Sequence, residues 1–476
     1  MVDEICLLRK IECLIQNKLP PEFHLIKEGA TYLFFNVNTI SLFRIDPTTY
    51  KVFSKILEGY KIKEALKEYR VDIDNFKEIC ETLFKHDKEP INHKNISKSV
   101  LDRLVLNVSN FCNLNCRYCY ATNGSYGQKE SFMEEKVAIG TMEFFYNTYD
   151  EINNIQFFGG EPLLNPELIQ IICEYIINKH DINRISKLPV FSIVTNGTIM
   201  SPKILEILST YNIKVTISID GPQFIHDHLR GNGTFKKIIK NVEYLKSRNT
   251  NIGVECTFTN HHLINGFNVS DLMEFFYKQI GLHATHIPFV AVPKSNELYI
   301  DKNDLIKSYS NAIKLALDSL NKKDYKLDSC TMRLLRALVY KKKNDIYCPA
   351  GVATLSVSSE GDIYPCFMFT GNKKFLIGNV FENKISDIRV YKMSKLLKEI
   401  SKWNDPKCRS CWARSLCFGC IGNDYILSGS IRNKTQCDFN KGIIEFFLLN
   451  SCEILEDPVT VSRICRLITP PENKCL

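Results

Sequence analysis

Between Leu101 and Val290, six short apolar runs are separated by stretches of helical period: Leu104–Val108, Ile155–Phe158, Val190–Val194, Val215–Ile219, Gly253–Phe258 and Thr285–Val290. Strands spaced by helices are joined by crossovers rather than hairpins, and the outcome is a parallel sheet with helices packed on its outer face. Six such βα units make a curved, incomplete barrel. In the first crossover Ser131 and Glu134 have the spacing of a capping box, and Ala138, Met142 and Phe145 continue one apolar face, which predicts a helix starting there.

The flanks read differently. Before residue 97, Tyr32–Val37 and Ser41–Ile45 are short apolar strands joined by a turn at Asn38-Thr39. Helical patterns follow around Tyr50–Leu57 and Asp74–Phe84, with Ile62–Tyr69 between them, and strands followed by helices at this size suggest a winged-helix module. The polar stretch from His86 to Asn95 reads as a linker. After Leu327 the alternation fades into short cysteine-rich segments, and no fixed-period repeat runs through the chain. A length of 476 residues accommodates about three domains, drawn at 1–97, 98–327 and 328–476.

Composition narrows the class of protein. With 45% hydrophobic and 24% charged residues and no apolar run long enough to span a bilayer, the chain reads as globular, with no membrane partner. Acids follow Met1 where a secretory signal needs bases, which points to the cytoplasm and reduced thiols. The net charge of +8 is spread among acids, as on a solvated surface and unlike a nucleic-acid face. Nineteen cysteines are an excess for a reducing compartment and argue for metal or cluster ligation over disulfides.

Cys112, Cys116 and Cys119 follow the first strand directly, at the strand end where α/β barrels place active sites. A cubane iron–sulfur cluster normally takes four thiolates, so three leave one iron open, and an open position separates a catalytic metal from a structural one. A zinc site short of one ligand, or three core thiols, are the alternatives. The CX3CX2C spacing with Tyr118 before the last cysteine resembles the signature of the radical S-adenosylmethionine (SAM) superfamily. The resemblance implies a [4Fe–4S] cluster that binds SAM, with Tyr118 against the adenine. Gly159, Gly160 and Glu161 match the motif after the second strand, where the glycines admit close backbone approach and Glu161 would accept from the SAM amino group. Thr195 and Asn196 after the third strand, and Ser218 and Asp220 at the end of the fourth, correspond to residues lining the SAM ribose and carboxylate. Arg230 is a candidate partner for that carboxylate, which a guanidinium suits bidentately.

Further on, Cys348 is followed by twelve residues, Gly361, four residues and Cys366, and then by Cys408, Cys411, Cys417, Cys420 and Cys437. This resembles a SPASM domain, which implies two auxiliary [4Fe–4S] clusters. Cys408, Cys411, Cys417 and Cys437 would close the outer one, and Cys348, Cys366 and Cys420 would hold the inner one, with an open iron. Two residues separate Cys417 from Cys420 where the family usually has three, which leaves the split of ligands open. Two structural zinc sites are the competing reading, and Cys330 is a candidate eighth ligand. Cys6, Cys13, Cys80, Cys173, Cys256, Cys452, Cys465 and Cys475 read as unligated.

The segment Tyr32–Asp46 resembles the leader-recognition element (PqqD-like) fused to maturases of ribosomally made peptides, in which an open sheet edge takes a peptide as an added strand. The unit shows no concentrated basic recognition helix, which favours peptide over DNA. The whole then implies an α/β radical SAM enzyme: a partial (β/α)6 TIM-like barrel between a winged-helix-like α+β domain and a cysteine-rich SPASM domain. Its expected partners are a precursor peptide and a reductant such as flavodoxin or ferredoxin. The expected product is a cross-link, a Cys thioether; an anaerobic sulfatase maturase forming formylglycine is the alternative within enzymes. A redox-sensing winged-helix regulator would have no use for the Gly159–Glu161 and Ser218–Asp220 loops.

Overall fold

The computed structural model describes residues 22–84, 100–322, 326–382 and 385–468. The stretch expected as a linker, and Cys6, Cys13 and Cys475, lie outside them. The N-terminal unit is an antiparallel sheet, β1 (Phe23–Glu28), β2 (Thr31–Asn36) and β3 (Ser41–Arg44), followed by helices α1 (Pro47–Leu57), α2 (Ile62–Glu68) and α3 (Ile73–Phe84). Asp46 starts α1 by accepting from the Thr48 and Thr49 amides at 2.8 and 3.0 Å, with Pro47 in the first turn. Side chains alternate across a strand. Phe34 therefore joins the helices' own core with Val52, Phe53 and Phe76, while Leu33 and Phe35, with Ile26, Val37 and Ile40, enter the main core of the molecule.

The main sheet uses all six expected strands: β4 (Arg103–Ser109), β5 (Asn154–Gly159), β6 (Val190–Thr195), β7 (Lys214–Ser218), β8 (Ile252–Glu255) and β9 (Ala284–His286). They lie side by side in sequence order and parallel, with α4 (Glu135–Tyr146), α5 (Pro166–Asp181), α6 (Pro202–Thr210), α7 (Gln223–Arg230) and α8 (Thr234–Ser247) in the crossovers. The last two strands are shorter than expected, though a bridge between Phe258 and Phe289 resumes their pairing. Beyond β4 the sheet continues: β10 (Thr354–Val357) pairs with it in parallel, and β11 (Asp362–Tyr364) and β12 (Gly378–Asn379) add antiparallel. The cysteine-rich region thus shares the barrel's sheet.

The capping box expected at Ser131 is absent. Glu134 occupies the cap position of α4 without a side-chain cap bond, because Ser131 and Phe132 are held extended against the end of β4: Ser131 O accepts from the Asn110 amide at 2.7 Å and Ser131 Oγ meets Ser359 Oγ at 3.0 Å. Helix α9 (Lys302–Lys322) packs along the helix Cys437–Glu456, which also lies against β1 and β3. Among the described residues no helix is long and apolar enough to cross a membrane.

Candidate active site

The chain leaves β4 at Ser109 and turns across the C-terminal ends of the parallel strands, carrying Cys112, Cys116 and Cys119 in one loop. Close backbone packing fixes that loop. Gly160 and Glu161 donate their amides to Ser109 O and Phe111 O at 2.8 and 2.9 Å. A Cβ on Gly159 (φ +130°) would fall 2.2 Å from Ser109 O, one on Gly160 2.2 Å from Phe111 O, and one on Gly124 2.5 Å from Gly160 Cα, so only glycine fits at all three. Asn196 Nδ2 donates to Asn113 Oδ1 at 2.9 Å and reaches Cys112 Sγ at 3.8 Å, tying the third strand's end to the thiols. Burial, aided by Glu161 and the other two thiols, pushes the Cys112 thiol up to about 12.

Glu161 is buried at 1% exposure, and burial raises its carboxyl pKa against the pull of three donors. Oε1 accepts from the Leu163 amide (3.0 Å) and Thr195 Oγ1 (2.7 Å), and Oε2 from the Asn196 amide (2.7 Å). It therefore joins the second and third motifs, and Oε2 has one donor among the described residues where a carboxylate oxygen can take two. Arg230, expected to face a carboxylate of SAM, is turned onto Asp220, with Nε to Oδ2 at 2.8 Å and Nη2 to Oδ1 at 3.4 Å. Tyr118 donates its hydroxyl to the same Oδ2, and the guanidinium lies 5.5 Å from the centre of its ring. Burial works against the Asp220 carboxylate, but Arg230 and His226 hold its pKa below the usual range. His226 Nδ1 accepts from the Asp220 amide at 3.1 Å and His262 Nε2 meets Asp220 O at 2.9 Å, so the end of β7 is braced from two sides. Ser218 is buried beside them.

The later cysteines divide into two groups. Cys417 has Cys437, Cys411 and Cys408 as its thiol neighbours, whereas Cys420 has Cys348 and Cys366. The two-residue spacer is what separates them: Gly419 donates to Tyr347 O at 3.0 Å and has no room for a Cβ against the Tyr347 ring, while Asn440 Nδ2 holds Phe418 O at 2.6 Å. Phe367, next to Cys366, packs 4.5 Å from Phe158, next to Gly159, so the second group abuts the first loop. Cys330 has Asp328 and Arg333 as charged neighbours, and Arg333 stands beside both Cys330 and Cys348. Every described cysteine is a free thiol.

Residues 106–276 match the radical SAM superfamily and residues 348–412 match SPASM, an iron–sulfur cluster-binding domain. An uncharacterized protein of Methanocaldococcus jannaschii is 32% identical over 293 residues, 60% of this chain and 91% of that protein. This chain belongs to the radical SAM superfamily. The radical SAM cyclopropyl synthase TigE of Paramaledivibacter caminithermalis is 31% identical over 305 residues; the match takes in 54% of this chain and spans 63% of the synthase's length. The cysteine-type anaerobic sulfatase-maturating enzyme of Clostridium novyi is 25% identical over 346 residues, 68% of this chain and 88% of the enzyme. Among solved structures, anSMEcpe with bound AdoMet and a Cp18Cys peptide superposes with a TM-score of 0.61 at 20% identity, covering 77% of this chain and 99% of that one. SuiB of Streptococcus suis bound to S-adenosylmethionine gives 0.51 at 17%, covering 87% and 97%.

The cofactors of this radical SAM enzyme are accordingly [4Fe–4S] clusters and SAM, and the thiol groups fit them. Among the described residues no three His, Cys, Asp or Glu side chains crowd onto one point as they would round a single ion, whereas a cubane presents its irons at separate corners. Two features of the site carry no signal in the sequence. Gly124 looks like an ordinary loop glycine until its contact with Cys112 is seen, and Lys402, buried beside Cys417, is one lysine among many.

Proposed function

We propose that the chain is a peptide maturase that installs an oxidative cross-link, a Cys thioether, in a ribosomally made precursor. The carrying observation is the contact of Phe158 with Phe367, which sets the three-thiol group of Cys348, Cys366 and Cys420 against the three-thiol loop at the barrel mouth. Cys112, Cys116 and Cys119 would hold the cluster, which when bound would supply the electron for reductive cleavage of SAM and so the means of removing hydrogen from a substrate carbon. The chain's own part is positioning. Glu161 and Asn196 fix the loop, Tyr118 offers its ring to the adenine, and Thr195 and Ser218 line the approach to the ribose. An edge of the N-terminal sheet, β1 or β3, takes the leader as a further strand.

The anaerobic sulfatase-maturase reading has its own support in the similarity to the Clostridium novyi enzyme and in the peptide-bound neighbour. Mass spectrometry of precursor treated with enzyme and SAM separates the two. A loss of two hydrogens per link with the donor Cys closed to alkylation is expected. The same loss with every thiol still open moves the link to carbon, as the name of the cyclopropyl synthase suggests, and formylglycine sinks cross-linking altogether. Proline substitutions along β3 should weaken precursor processing and spare uncoupled SAM cleavage; unchanged processing removes leader binding from both edges if β1 prolines behave alike.

A further inference from the structure

Two buried lysines flank the group of Cys408, Cys411, Cys417 and Cys437, and they are held differently. Lys434, 8% exposed, is paired with the Asp405 carboxylate, so its charge is cancelled locally. Lys402, 3% exposed, has no carboxylate partner among the described residues. Its Nζ donates to three backbone carbonyls, Asn344 O at 2.5 Å, Arg414 O at 2.7 Å and Cys417 O at 2.5 Å. An ammonium has three N–H donors and no acceptor, and a neutral amine has two, so three accepting carbonyls favour the charged form, against burial, which lowers the Lys402 pKa to about 8. Asp345, whose field Lys402 also feels, directs its Oδ1 to Trp403 Nε1 at 3.1 Å.

An unpaired buried cation costs several kcal/mol unless something charged lies near it. Here Cys417, Cys408 and Cys411 are all within its field. As thiolates around a cubane they would leave a net negative site, and cluster potentials follow net charge and nearby charge. The other two thiol groups meet their cations differently. Arg230 beside Cys116 is neutralised by Asp220, whereas Cys348 lies in the field of two arginines, Arg333 and Arg103, and Cys366 in that of Arg103.

We propose that Lys402 is a fixed counter-charge that raises the reduction potential of the outer auxiliary cluster. This rests on the reading of Cys408, Cys411, Cys417 and Cys437 as one cluster's ligands, and not on which bond the enzyme makes. Lys402 acts as a tuning residue, through its charge beside the thiols.

The test is an EPR-monitored redox titration of the reconstituted full chain in the C112A/C116A/C119A background, which leaves only the auxiliary centres. A C408A/C411A/C437A variant losing about four irons checks the ligand reading separately; no loss there would void that reading and not the electrostatics. Lys402→Gln and Lys402→Met should then move one auxiliary signal to more negative potential and leave the other in place, and Lys402→Arg should stay near the parent. A loaded Gln or Met variant with the parent's potentials overturns the proposal. If both neutral variants fail to load the outer site, retention of its irons by the Arg variant sustains the proposal, and equal loss in the Arg variant overturns it.

Discussion

The loop of Cys112, Cys116 and Cys119 and the outer group around Cys417 hold their thiols by opposite means. At the barrel mouth, backbone is pressed on backbone at Gly124, Gly159 and Gly160, and the buried Arg230 is cancelled by Asp220. At the outer group, side chains clasp the loops from within, and Lys402 has no carboxylate partner among the described residues. Three thiols and balanced charges suit a centre that must admit a charged cofactor such as SAM. Four thiols around a spare cation suit one that only takes and gives electrons.

The contrast can be broken most directly by removing the thiols. Changing Cys112, Cys116 and Cys119 together to Ala should lower the iron content from about twelve to about eight per chain and abolish 5′-deoxyadenosine formation; SAM cleavage at the parent rate would show that the mouth is not the catalytic centre. A milder break is Gly160→Ala. Its Cβ would meet the Phe111 carbonyl at 2.2 Å, a backbone group that cannot swing aside, so a destabilisation of about 3 kcal/mol is expected in denaturant melts, with the SAM-binding cluster lost before the auxiliary ones. Equal stability would mean that close packing does not hold the loop.

Acid provides a finer distinction. Burial, against the pull of Asp220, pushes His226 down to about 4, and its Nδ1 must stay unprotonated to accept from the Asp220 amide. A histidine lowered on folding contributes stability that is complete above its unfolded value near 6.5 and is lost as pH falls toward 4, here about 3 kcal/mol for about 2.5 pH units at roughly 1.4 each. The barrel mouth should therefore loosen first on acidification while the outer group's lysines stay charged. His226→Phe should flatten the stability profile between pH 6.5 and 4, and an unchanged profile would place the acid sensitivity elsewhere.

Much of this was legible in the chain. The six barrel strands could be read because their apolar runs alternate with helical ones, and the thiol groups because their spacing is chemical. What escaped was decided by distant partners. The run Phe23–Glu28 mixes charge with apolar residues and becomes a strand because β2 offers it a register. Thr354–Val357 is too short to read, and it pairs with β4 from about 250 residues away. Ser131 carried the right cap spacing but was claimed by Ser359 and the end of β4. Arg230 was read as a partner for the SAM carboxylate, whereas its partner in the structure is Asp220, which had itself been assigned to the ligand.

The two-faced N-terminal sheet has a consequence for how the molecule is made. Ile26, Leu33 and Phe35 find their cover in the main core, and Arg44 reaches Glu456 at 3.4 Å across 412 positions of sequence. During synthesis at about 5–20 residues per second, the covering helix leaves the ribosome roughly 20–80 seconds after the sheet it covers. For that interval an apolar surface and its strand edges stand open, and contacts closing so long a loop are slow to form. Until that helix arrives, the newly made sheet keeps its second apolar face open to water or to any apolar surface it meets.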